Sequence, residues 1–213
     1  MSNRSRGGSL GRSLSVIAIG GIVMSAVHMT KAESPLATDG TADGLAAWDS
    51  VYSVLTSPRC INCHTATNYP QQGDERRRHF ANVIRGPEGK GVTGLNCVSC
   101  HQTENADATG VPGAHSWHLA PLSMRWQDTN DLELSSAAVC RALTDRAKNH
   151  GLDGAGLLKH HDEEPLVRWA WNPGRRPDGT ARSVPPLTHA QFVGATRSWV
   201  TAGSPCPNDA SAR

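Results

Sequence analysis

The pentapeptide CINCH at residues 60–64 returns as CVSCH at residues 97–101. Each copy has two cysteines separated by two residues and a histidine directly after the second cysteine. Cys-x-x-Cys pairs occur in tetrahedral zinc sites, in dithiol redox sites and in covalent haem attachment sites. Only haem attachment requires the histidine after both pairs, because that histidine becomes an axial ligand of the iron. The repeat therefore favours two covalently bound c-type haems over a zinc site or a dithiol site.

The two copies specify which side chains would hold the haems. Two thioether bonds would join each haem to its cysteine pair, and the histidine would bind the iron on the proximal side. The predicted cofactor-binding residues are Cys60, Cys63, His64, Cys97, Cys100 and His101. Of these, His64 and His101 are the predicted proximal metal ligands.

A second axial ligand is expected on the opposite side of each iron. His79 is the nearest free histidine after the first copy, on a segment that could fold back over the first haem. Met124 is the only methionine after residue 32, and a thioether ligand gives a higher reduction potential than a second histidine. A core gap filler is the other interpretation of this methionine. His160 and His118 are further candidates, and His118 would alternatively hydrogen-bond a haem propionate.

Residues 1–32 have the pattern of a secretory signal peptide. Three arginines precede a 14-residue apolar run at residues 14–27, and Ala32 follows as a candidate cleavage site. The run is shorter than the roughly 20 apolar residues that a membrane-spanning helix needs. We therefore expect export to the periplasm with cleavage near Ala32, and membrane association only if this segment stays uncleaved.

Charge and composition narrow the function classes for the rest of the chain. The sequence has 21 Lys and Arg against 19 Asp and Glu; four of the basic residues lie in residues 1–32, which leaves 17 against 19 after cleavage. A near-neutral chain without a basic stripe gives no indication of nucleic-acid binding. Residues 33–213 have few Phe and Tyr but all six Trp and all six Cys. So lean a core needs disulfides or a bulky cofactor to pack around.

The pattern of apolar residues predicts one mostly α-helical, di-haem cytochrome c domain over residues 33–213, with extensive loops and few or no strands. Apolar residues recur at helical spacing from Asp43, a candidate N-cap, to Leu55. Two small lobes, one for each motif, are the alternative organisation. Further helices are predicted over residues 135–149, with Ser135 or Ser136 as the cap, and over residues 155–161. A last helix is predicted from its cap Thr188 to Gly203, with Phe192 and Trp199 facing inward.

Two segments around the motifs carry weaker signals. Residues 73–86 have charged and apolar faces and would form one or two helical turns that carry His79. Residues 86–96 are interpreted as a loop because of their glycines.

Cys140 and Cys206 remain outside the haem motifs. In an oxidising compartment two such cysteines most often pair. The bridge would tie the helix after the second motif to the C-terminal tail, and two free thiols are the alternative.

Longer blocks of the sequence carry a more specific signal than the motifs alone. They are PRCINCHTATNYPQQGDERRRHFANVIRGPEGKG, LNCVSCHQTEN, VPGAHSWHLAPLSMRW, VCRAL, EPLVRWAWNPGR and WVTAGSPCP. These blocks resemble a family of small di-haem c-type cytochromes whose members often carry the label isoquinoline 1-oxidoreductase subunit. The resemblance covers nearly all of residues 33–213, including the cysteines at 140 and 206. It implies a periplasmic electron carrier, with a molybdenum hydroxylase as one candidate donor.

The sequence therefore predicts an electron-transfer protein rather than an enzyme. Expected partners are an upstream dehydrogenase or molybdenum hydroxylase and a downstream cytochrome or oxidase. Nothing in the sequence resembles a molybdopterin or iron–sulfur domain, so those would lie on other chains. Two alternatives stay open: a di-haem peroxidase-like enzyme with one open iron coordination position, and a haem-bearing subunit that mainly docks a catalytic partner.

Overall fold

Helices supply most of the regular structure in residues 39–209, which are the residues that this computed structural model describes. Within that range there are seven α-helices: α1 (Asp39–Leu55), α2 (Pro58–Ile61), α3 (Cys97–Cys100), α4 (Ser136–Thr144), α5 (Gly154–Glu163), α6 (Pro165–Trp169) and α7 (His189–Thr201). The prediction of a mostly α-helical fold is confirmed. Both motifs lie in one compact unit. The predicted signal peptide lies outside the described residues.

Two short antiparallel hairpins are the only multi-residue strand pairs among residues 39–209. Strand β1 (Gln71–Gln72) pairs with β2 (Arg77–Arg78), and β3 (Gly91–Val92) pairs with β4 (Leu95–Asn96). The prediction of few strands is therefore confirmed. The first hairpin follows the first motif, and the second hairpin leads directly into the second motif.

Residues 73–86, predicted as helical turns, and residues 86–96, predicted as a loop, contain most of these two hairpins. Residues 73–86 are helical only in a 3₁₀ turn at Phe80–Asn82, and His79 lies just before this turn. The backbone reverses at Gly73 and Arg76, whose φ angles of 80° and 52° do not fit a right-handed helix. The predicted loop at residues 86–96 turns at Gly94, with a φ of 84°, and so closes the second hairpin.

The ends of two predicted helices were misplaced. Helix α1 begins at Asp39, so Asp43 lies inside the helix instead of capping it. Helix α4 is capped by the Ser135 hydroxyl, as expected, but it ends at Thr144, before the predicted end. Asp145 leaves the helical conformation there, and its carboxylate accepts a local backbone hydrogen bond that favours a turn.

The core is centred on the contact between α1 and α7. Trp48 and Trp199 are fully buried and pack with their ring centroids 5.0 Å apart. The indole N–H of Trp48 donates to the Ser136 hydroxyl at 2.7 Å, and that of Trp199 donates to the Pro205 carbonyl at 3.0 Å. Each ring is therefore buried with its polar atom satisfied. Phe192 is also buried, which confirms the predicted inward face of α7.

Helix α7 also holds α5, the helix that carries His160. Thr188 caps α7 as predicted, and Gln191 completes a capping box. On α5, the His161 ring nitrogen Nδ1 lies 2.9 Å from the Thr196 hydroxyl of α7, and His189 contacts the His161 carbonyl at 3.0 Å. These buried contacts fix how α5 lies against the core.

The predicted disulfide between Cys140 and Cys206 is present. It joins α4 to the segment after α7 across a sequence separation of 66 residues. Cys140 is fully buried, so the bond anchors the C-terminal segment to the core. A cross-link that closes a long loop lowers the entropy of the unfolded chain, which stabilises the fold.

We expect the double variant Cys140→Ala, Cys206→Ala to fold less stably than the wild type. On the chain-entropy model, a loop of this length corresponds to about 4 kcal/mol of unfolding free energy. Urea denaturation followed by circular dichroism measures the loss. Chemical reduction of the wild-type protein is the matched control and should give a similar decrease. An unchanged urea midpoint in both experiments would contradict a stabilising role for the bond.

Candidate haem sites

The first Cys-x-x-Cys-His copy starts within the single turn of α2 and continues beyond its end. Pro58 begins this turn, where its missing N–H leaves no helix hydrogen bond unmade. The backbone N–H groups of Cys63 and His64 both donate to the carbonyl of Cys60, at 3.1 Å each. Both thiols and the imidazole consequently line the same cavity.

The second copy folds locally in the same way but is more open. Its cysteines are the first and last residues of α3, and the N–H of His101 donates to the carbonyl of Cys97 at 2.9 Å. Cys100 is exposed to solvent. Three large apolar side chains are also exposed: Leu95 just before this motif, Val98 within it, and Phe80 next to His79.

A cavity of about 290 Å³ lies beside the first copy. Apolar side chains form most of its wall, and α1, α4, α5, α6 and α7 each contribute to it together with the loop residues 117–126. Ligand pockets in proteins have volumes of roughly 300–1,000 Å³ and are lined mainly by apolar and aromatic side chains. The cavity thus provides apolar surroundings next to two thiols and an imidazole.

His64 is held on two sides. Its Nδ1 lies 2.6 Å from the Met124 carbonyl, and its ring stacks on Trp126 with centroids 3.4 Å apart and planes 6° apart. A carbonyl only accepts, so Nδ1 carries the proton and Nε2 keeps its lone pair. Burial lowers the pKa of His64 to about 3, and His160 and His118 add to this decrease. The neutral ring therefore has Nε2 free to bind a metal.

His101 is held by the same two kinds of contact. Its Nδ1 lies 2.7 Å from the Pro112 carbonyl, and its ring stacks on Trp117 with centroids 4.3 Å apart and planes 4° apart. Burial lowers the pKa of this histidine too. The two motif histidines thus share one arrangement: a carbonyl at Nδ1, an indole on the ring face, and a free Nε2.

The structure places His79 beside the second motif and not over the first, where its sequence position suggested. The His79 and His101 ring centroids are 5.9 Å apart. When two imidazole rings bind one metal from opposite sides, with bonds of about 2 Å, their centroids are roughly 6 Å apart. The Nδ1 of His79 lies 2.7 Å from the Phe80 carbonyl, which leaves its Nε2 free as well. His79 and His101 therefore have the spacing of a bis-imidazole pair.

His160 and His118 both line the first cavity together with His64. His160 lies on α5, and burial lowers its pKa. The Nδ1 of His118 contacts the Ser116 carbonyl in a loop. The neighbouring His161 is buried and bound to α7, so it has a structural role. The structure thus brings two of the histidines predicted as second axial ligands, His118 and His160, to the first motif.

Met124 lines the same cavity and is buried. Its carbonyl is the group that accepts the hydrogen bond from His64 Nδ1. The Met124 backbone therefore lies behind the His64 ring, on the side away from Nε2. Met124 as an axial ligand of an iron stays a prediction.

The thiols of the first motif do not have the low pKa that is typical of a dithiol redox pair. Cys60 and Cys63 are unpaired. Burial raises the pKa of Cys60 to about 12 and that of Cys63 to about 11. Dithiol redox sites instead have an exposed thiol with a lowered pKa. The surroundings of this pair do not favour thiolate chemistry.

Arg85 supports the chain around the first motif, which is a role that the sequence did not indicate. Its guanidinium group is buried and donates to three backbone carbonyls. They belong to Thr65 at 2.7 Å, to Thr67 at 3.2 Å and to Ala120 at 2.5 Å. This fork ties the chain just after the first motif to the segment that carries Trp117 and His118. No periodic pattern marks such a residue, because its partners are main-chain groups.

Across residues 39–209, no group of three or more His, Cys, Asp or Glu side chains is arranged to hold a metal ion. In the same part of the chain, no helix is long and apolar enough to cross a membrane. Comparison with protein-family models, with curated proteins and with solved structures gives no match.

We expect Arg85→Lys to reduce stability, because a lysine cannot reproduce the planar fork that reaches three carbonyls. Hydrogen bonds from charged groups are worth about 1.5–3 kcal/mol, and we expect a loss of unfolding free energy of that size. Urea denaturation checks it. Arg125→Lys is the matched control, because Arg125 is exposed and contacts only the Leu122 carbonyl through its side chain. Equal stability of both variants would contradict this role for Arg85.

Proposed function

We propose that this protein is a periplasmic electron carrier that binds two c-type haems covalently. The observation that carries the proposal is the arrangement shared by the two motifs. In each, a helical turn presents two thiols, and the following histidine has its Nδ1 bound to a carbonyl and its Nε2 free. When bound, each haem would accept and release one electron at its iron.

The residues around the first motif fit a haem. The cavity next to Cys60 and Cys63 is apolar over most of its wall, which suits a porphyrin face. The buried indole N–H of Trp126, another wall residue, has no hydrogen-bond partner among the described residues. An unpartnered buried donor costs free energy, so an acceptor supplied by a bound group would relieve it. These features support attachment at this site.

The second motif fits a haem in a different way. Its site is open, and Leu95 and Val98 expose about half of their surface, while Phe80 is 68% exposed. Leu95 lies just before the second motif, Val98 lies within it, and Phe80 follows His79, whose ring is near that of His101. A haem attached to Cys97 and Cys100 would cover apolar surface there.

The geometry supports histidine as the second axial ligand at both sites. For the second haem the pair is His101 and His79, from their spacing and their free Nε2 atoms. For the first haem we propose His64 and His160, because His160 is on a helix fixed against the core, whereas His118 lies in a loop. Met124 lines the same cavity, but its carbonyl already accepts from His64 Nδ1, which gives this residue a supporting role.

The expected partners are redox proteins. Export, two haems and the resemblance to small di-haem cytochromes together support an upstream dehydrogenase or molybdenum hydroxylase. A downstream cytochrome or oxidase would receive the electrons. In such a carrier the protein residues hold the ligands, exclude water and set the potentials, while chemistry on a substrate occurs elsewhere.

The direct test of the proposal is the intact mass of protein purified from a host that matures c-type cytochromes. The mass should exceed that of the polypeptide by two haem groups, and both should survive denaturation because thioether bonds are covalent. Cys97→Ala with Cys100→Ala should remove one haem and leave the other. A wild-type mass without any haem adduct would refute the proposed function.

We expect His160→Ala and His79→Ala each to convert one low-spin haem to a form that binds carbon monoxide, because each variant opens one axial position. Absorption and electron paramagnetic resonance (EPR) spectra measure this change. His118→Ala and Met124→Leu are the matched controls for the first site, and both should leave two low-spin haems.

Carbon monoxide binding by the wild-type protein would instead indicate an open iron, as in a peroxidase-like enzyme. A long-wavelength thioether band that disappears in Met124→Leu would assign Met124 to one iron and contradict the bis-histidine arrangement.

A further inference from the structure

One aromatic residue touches both candidate haem sites. The Trp117 ring stacks on the ring of His101, the proximal histidine of the second motif, with centroids 4.3 Å apart. The same residue lines the cavity beside the first motif. Trp117 therefore lies in the boundary between the two sites.

A second tryptophan and an asparagine hold Trp117 in this boundary. The rings of Trp117 and Trp169 meet edge to face, with centroids 4.8 Å apart. Trp169 also lines the first cavity, and its indole N–H donates to Asn105 Oδ1 at 3.0 Å. The same oxygen accepts the N–H of Gly113 at 3.1 Å. The aromatic pair is thus attached to the loop that follows His101.

We propose that Trp117 is a positioning residue that couples the two haem sites. Its stacking fixes the plane of the His101 ring, and its place in the cavity wall links that plane to the surroundings of the first haem. Contacts around an axial ligand set its orientation and, with burial, the reduction potential of the iron. This inference rests on the proposed function and adds a specific connection between its two centres.

Trp126 offers a matched control. It stacks on His64 as Trp117 stacks on His101, and it also lines the first cavity. Among residues 39–209 its ring stacks on His64 and on neither His101 nor Trp117. A change at Trp126 should therefore alter the first haem and leave the second unchanged.

The experiment compares Trp117→Leu and Trp126→Leu in the protein with both haems attached. EPR spectra of the oxidised protein and potentiometric titrations give separate readouts, and the variant Cys97→Ala, Cys100→Ala assigns the signals of the first haem. Trp117→Leu should change the g values and potentials of both haems, whereas Trp126→Leu should change those of the first haem only. Trp117→Phe keeps a flat ring and should preserve the wild-type signals.

Several outcomes would overturn the coupling. The proposal would fail if Trp117→Leu changed the g values and potentials of only one haem or of neither. It would also fail if Trp117→Phe changed them in the same way as Trp117→Leu. If Trp117→Leu does not retain both haems, the wild-type protein provides the test. Reduction of one haem should then alter the EPR signal of the other. Independent signals would overturn the proposal. A wild-type protein without covalent haem would refute the proposed function itself, which the mass measurement detects separately.

Discussion

The Nδ1 hydrogen bonds of His64 and His101 are the contacts on which the arrangement of both sites depends. A neutral imidazole carries one proton, and a carbonyl at Nδ1 keeps that proton away from Nε2. Both carbonyls lie outside the motifs: that of Met124, 60 residues after His64, belongs to a 3₁₀ turn at Leu122–Met124, and that of Pro112, 11 residues after His101, belongs to the loop after the second motif. The loops between the motifs and α4 therefore serve mainly to bring these carbonyls, and the stacked indoles, to the two histidines.

The helical core supports the first site directly. Leu55 of α1, Leu157 of α5 and Phe192 of α7 are buried core residues that also line the cavity. The chain has only two Phe and two Tyr. Apolar side chains that would pack against each other in a denser core line the cavity instead. Filling a cavity regains packing and transfer free energy, and any group that binds only the folded state stabilises it. A covalent haem in this cavity would thus stabilise the fold as well as carry electrons.

What the sequence predicted well depended on chemistry between near neighbours. The Thr188 and Ser135 caps and the mostly helical fold follow from residue types at short spacings, and the disulfide follows from the chemistry of the two cysteines left outside the motifs. The position of His79 could not be predicted, because it depends on a hairpin whose turns are set by backbone angles at Gly73 and Arg76. Nor could the tryptophan–histidine stacks, which join residues 62 and 16 positions apart.

One repeated pentapeptide produces two unlike sites, and the difference comes entirely from what surrounds each copy. The first copy faces a cavity walled by the helical core, whereas the second lies after a surface hairpin with Cys100 exposed. Burial and solvent access are among the factors that set the potential of a haem iron. The proposed carrier would therefore have one shielded centre and one that a partner protein can approach. The Trp117 ring stacks on His101 at the exposed site, and Trp117 also lines the cavity of the first site, so the two environments meet at a single indole ring.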